Sequence, residues 1–85
     1  MILVNLHTLP AGRHMFTVAV TDDPPAASWD ELAYDEVDVV APARASLAQV
    51  IAAADLSGYE HCRVVGIVDQ SAGYAIAEAT DGDLR

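Results

Sequence analysis

The chain has no lysine, a single cysteine, one phenylalanine and one tryptophan, and no long run of apolar residues. Without lysine, only four arginines stand against thirteen acidic residues, and the formal charge is −9. Nucleic-acid affinity comes largely from Lys and Arg displacing counterions around phosphates. Nucleic acid and anionic membrane are therefore excluded as expected partners. A lone Cys62 cannot close an internal disulfide, so no oxidising compartment is called for. The start, Met1 to His7, is apolar but short, with no basic n-region and no long h-region. No segment approaches the roughly 20 apolar residues that span a bilayer. The expectation is a cytoplasmic protein.

The recurrent chemical motifs are missing too. The five glycines are scattered and form neither G-x-G-x-x-G nor a P-loop, and there is no H-E-x-x-H and no C-x-x-C. Asp22-Asp23 and Asp81-x-Asp83 lack the spacing of a calcium loop, whose ligands must converge on one point, and read as solvated charge. Nothing in the spacing calls for a cofactor or a metal.

What is present is enough apolar material to fold. Hydrophobic residues make up 53% of the 85 and charged ones 20%, too apolar a mixture for a disordered segment. The length fits one domain, residues 1–85, which buries only about 60% of its unfolded surface. Much of the apolar content is alanine, so Leu3, Val4, Leu6, Phe16, Val18, Val20, Val39, Leu47, Ile51, Val64, Ile67 and Ile76 must carry most of the core. A core this modest favours association, and a homodimer or higher oligomer is expected.

Residues 2–9 read as a first strand and Pro10 to Gly12 as a turn. His14 to Thr21 reads as a second strand with Phe16, Val18 and Val20 on one face and Met15, Thr17 and Ala19 on the other. Residues 22–27 are a proline-containing surface loop. Ser28 and Glu31 fit a capping box, which predicts a short helical turn over 29–33. Tyr34 to Val40 alternates, with acids on both sides, as an edge strand does when charge discourages further pairing. Ser46 and Gln49 make a second capping box for a helix over 46–56, with Gly58 as its C-terminal cap. Leu47, Val50, Ile51 and Ala54 recur at helical spacing and form one apolar stripe. His61 to Asp69 and Tyr74 to Thr80 read as two strands joined by Gln70 to Gly73, and the first of them, apolar on both sides, should be central. Strict alternation along it sets Val65 and Ile67 on one face and Cys62, Val64, Gly66 and Val68 on the other. Residues 81–85 read as a flexible tail. The element order is β-β-(short helix)-β-α-β-β. The fold class is α+β, one main helix on a four- or five-stranded mixed sheet.

Two readings of function follow. The first is a non-catalytic interaction module, an inhibitor, immunity-like or accessory regulatory subunit, presenting an acidic surface to a basic protein partner. Trp29, Asp30, Glu31, Tyr34, Asp35, Glu36 and Asp38 form its candidate patch, because aromatics with polar tips suit interface cores and flanking acids steer a basic partner. The second is a small oligomeric enzyme or ligand-binding domain with its site at a subunit interface. His7, Arg13, His14, His61, Arg63 and Tyr74 are its candidates, the arginines being able to hold an anion. A zinc set drawn from His7, His14, His61 and Cys62 is conceivable but not required by spacing. If 61–69 is all strand, His61 and Cys62 point to opposite faces, and Cys62 is an ordinary buried thiol.

Overall fold

Alternation in the middle of the chain dictates a sheet, and the computed structural model describes that sheet and its helix through residues 11–23, 31–79 and 82–85. The elements are β1 (Arg13–Thr21), β2 (Asp35–Pro42), α1 (Leu47–Ala53), β3 (Arg63–Asp69) and β4 (Tyr74–Glu78). The four strands lie in the order β2-β1-β3-β4, and every pairing is antiparallel. This is the expected helix on a four-stranded sheet in β-β-α-β-β order. The strand expected over 2–9, His7, and the helical turn begun by Ser28, Trp29 and Asp30 lie outside the described residues. So does most of the loop expected over 22–27.

Phe16, Val18 and Val20 face the helix, as their alternation requires. They form one core with Ala41, Val50, Cys62, Val64 and Ile67. The stripe on α1 closes it: Val50 is fully buried, and Leu47, Ile51 and Ala54 pack around it. Ser46 and Gln49 form the capping box, each side chain accepting the other residue's backbone N–H. Together these contacts hold a helix too short to persist alone in water.

The helix ends sooner than its expected limit at Leu56. Ala54 is already extended, and Asp55 Oδ1 accepts bonds from the Ser57 N–H at 3.1 Å and the Ser57 hydroxyl at 2.6 Å. This local turn competes with the helical ladder and wins. Gly58, at φ +86°, serves that turn rather than a helix cap. Leu56 and Tyr59 still reach the core.

Strict alternation also fails along β3. Ala19 pairs with Gly66 and Val20 with Val64, so Val65 is an extra, bulged residue. A bulge inverts the phase of a strand, and Val64 and Ile67 therefore share the core face. A second bulge at Ile76 does the same in β4, and Ile76 and Ala77 both pack on the core. β3 is central and buried, and β2 is an edge of the described sheet, as expected.

The last residues are bound to the sheet end. Leu84 N–H donates to the Val64 carbonyl at 3.0 Å, Asp83 Oδ1 accepts the Val64 N–H at 3.2 Å, and Leu84 packs on the core. Asp83 is thus a backbone clamp rather than free surface charge. Among the described residues no helix is long and apolar enough to cross a membrane.

Candidate functional site

The antiparallel register sends the candidate ligand residues to opposite ends of the sheet. Thr21 pairs with Arg63, whereas Phe16 pairs with Asp69 and Asp69 with Tyr74. Arg13, His14 and Tyr74 therefore lie at one end, and His61 and Arg63 at the other. The described residues do not bring the set into one site, nor His14 near His61 and Cys62. No group of three or more His, Cys, Asp or Glu able to hold a metal occurs among the described residues.

At the first end, His14 Nδ1 lies 2.8 Å from Asp69 Oδ2. Burial would push the Asp69 carboxyl up, but the His14 ring and the backbone N–H groups of Ala72 and Ser71 outweigh it and leave it below the ordinary value. An ionised carboxylate only accepts, so Nδ1 carries the proton. The same carboxylate accepts the Ala72 N–H at 2.9 Å, and the Asp69 carbonyl accepts the Gly73 N–H. Gly73, at φ +84°, completes the turn between β3 and β4 in a conformation that favours glycine. This histidine and acid hold a hairpin together.

The second end is built differently, because β3 starts only at Arg63. His61 and Cys62 sit in the turn before it, and strand alternation does not separate them. His61 Nε2 lies 3.4 Å from Cys62 Sγ and 4.0 Å from Asp22 Oδ2. Both contacts use one nitrogen, so the three groups do not form a relay in which the two ring nitrogens have different partners. Burial pushes the Cys62 thiol up, and the charges of Asp22 and Asp35 push it further, with Arg85 opposing weakly. Cys62 is thus a buried, protonated thiol and a poor nucleophile.

These residues floor a hollow of about 420 Å³, lined by Val20, Asp22, Tyr34, Asp35, Tyr59 and Cys62 together with Thr21, Ala33, Gly58 and His61. The loop between β1 and β2 is pinned at its base. Thr21 donates its hydroxyl proton to the Ala33 carbonyl at 2.7 Å, and Asp23 accepts the Ala33 N–H at 2.8 Å. Asp23 is thus tied down, while the neighbouring Asp22 is left exposed. A second hollow adjoins Asp22, His61 and Cys62 and contains Arg63 and Arg85. Both arginines have partners there. Arg63 donates to the carbonyls of Asp23 and Gly82, and Arg85 pairs with Asp83 at 3.3 Å.

The acidic patch is only partly continuous. Trp29 and Asp30 lie outside the described residues, while Glu31, Tyr34, Asp35, Glu36 and Asp38 are all exposed. Glu36 and Asp38 point away from the helix, where Asp38 accepts the Thr17 hydroxyl at 2.7 Å. On that face Tyr34, Glu36, Val68 and Glu78 surround a groove of about 160 Å³ that includes Ala19 and Gly66. Glu78 was not singled out from the sequence. It reaches this face because Gly66 pairs with it across the β3–β4 ladder. Tyr59 and Asp22 were likewise missed as site residues. Only the turns that carry them bring them to the hollow.

No family model matches the chain, and no curated protein and no solved structure matches it either.

Proposed function

We propose that the protein is a non-catalytic binding module that presents the Glu36 and Glu78 face of its sheet to a basic protein partner. The observation that carries this reading is the groove bounded by Tyr34, Glu36 and Glu78 beside β2, an edge of the described sheet. Ala19 and Gly66 line the groove with little or no side chain. A guanidinium or ammonium group entering there meets two carboxylates and a tyrosine. That combination favours a cation through ion pairing and through the ring face. The charge of −9 would speed encounter with a basic surface and discriminate against acidic ones. The buried, protonated Cys62 is a poor nucleophile.

Amide-resolved NMR titration with a short arginine-rich peptide tests the reading. Shifts concentrated at Ala19, Tyr34, Glu36, Gly66 and Glu78 are expected, with weakening of about tenfold or more in a Glu36→Arg, Glu78→Arg variant. Shifts spread evenly over distant acids such as Asp55, and unchanged in that variant, would overturn it.

A further inference from the structure

The hollow at the Cys62 end is separate from the groove, although Tyr34 borders both. Its lining contains two carboxylates, Asp22 and Asp35, two phenol rings, Tyr34 and Tyr59, and no arginine. Val20, Ala33 and the protonated Cys62 give it an apolar component. Its volume of about 420 Å³ falls within the roughly 300–1,000 Å³ of small-molecule sites.

From this geometry we infer that the hollow binds a small organic ammonium ion, with its charge between Asp22 and Asp35 and its carbon skeleton against Tyr34 and Tyr59. Three features favour an organic cation. The carboxylates are interleaved with rings, whose faces attract alkylammonium groups. The apolar part of the lining suits methylene or methyl groups, which a hydrated inorganic ion lacks. The nearby cations are already engaged, with Arg85 on Asp83 and Arg63 on two carbonyls. Burial raises the Cys62 thiol, and Asp22 and Asp35 add to that rise, in keeping with both carboxylates facing the same hollow as Cys62. Among the described lining residues His61 alone is able to carry an opposing charge, and it stands largely in solvent.

The full chain titrated with spermidine and, separately, with tetramethylammonium tests the inference, at constant ionic strength and with a neutral diol as control. The expected result is saturable shifts at Asp22, Tyr34, Tyr59 and Cys62 with at least one cation and none with the diol. In Asp22→Asn, Asp35→Asn that affinity should fall about tenfold or more. Both positions are exposed, so the variant's melting temperature should match that of the native chain, which separates lost binding from lost folding. Glu36→Arg, Glu78→Arg should retain amine binding, which distinguishes this hollow from the groove. Non-saturable shifts, equal response to the diol, or unchanged affinity in the Asp22, Asp35 variant would each overturn the inference.

Discussion

Two histidine–aspartate pairs sit at opposite ends of the same sheet, and they have different fates. His14 and Asp69 are 2.8 Å apart, with the Asp69 side chain 6% exposed. His61 and Asp22 are 4.0 Å apart, with side chains 64% and 67% exposed. The first pair is engaged within the fold: Asp69 accepts from a ring nitrogen and from the turn backbone. The second is held loosely beside a concavity. Residue type is the same in both. Burial and the number of local donors decide whether a charged pair supports the fold or remains available at the surface.

The comparison is broken most severely from the closed end. Phe16 is 1% exposed and lies in the core, its ring centroid 6.3 Å from that of His14. Phe16→Ala should cost about 3–5 kcal/mol, through lost burial and a residual cavity. Urea denaturation followed by circular dichroism measures it. Next in size is Asp69→Ala, which strips partners from the Ala72 N–H and His14 and should cost about 2–3 kcal/mol by the same measurement.

Acid sharpens that result. The Asp69 carboxyl is depressed in the fold relative to its ordinary 3.8, so its ionisation adds stability above that value. The contribution disappears as pH falls through the lower, folded value. Asp69→Asn should therefore be less stable than the native chain near neutrality. The gap should narrow as pH drops below about 3.8, read from urea midpoints across the range. A gap independent of pH would mean that Asp69 acts by shape alone. The smallest effect belongs to the open end. Asp22→Ala should shift stability by no more than about 0.5 kcal/mol, because an exposed pair at this distance contributes little. A loss as large as that of Asp69→Ala would erase the distinction between the two ends.

Much of the fold was legible because its signals are local. Ser46 and Gln49 announce a helix start through two bonds made within four residues, and the Leu47, Val50, Ile51, Ala54 stripe names the buried face. Phe16, Val18 and Val20 do the same for β1. The central place of β3 and the position of β2 at an edge of the described sheet were legible from two-sided apolar patterning and from charge. The helix end was not, since Gly58 is as good a stop signal as Asp55 until the Asp55–Ser57 bonds are seen. Nor was the phase of β3, because Val65 is chemically interchangeable with its neighbours and nothing in its identity marks a bulge. That single extra residue brings Val64 into the core and invalidates strict alternation. The candidate sites suffered most. His61 and Cys62 were separated on paper by a strand that begins two residues later, and Glu78 and Tyr59 carried no motif at all.

The sequence by itself determined composition, charge, the helix start, the core-facing side of β1 and the order of elements, because these depend on residue type and on neighbours a few positions away. Tertiary structure alone decided which histidine and acid would be buried together, which would face a hollow, and that Tyr34, Glu36 and Glu78 would meet on one face. Those outcomes depend on antiparallel register and on two bulges. Register is a long-range agreement between strands, and a shift of one residue in it exchanges the buried and exposed sides of a strand.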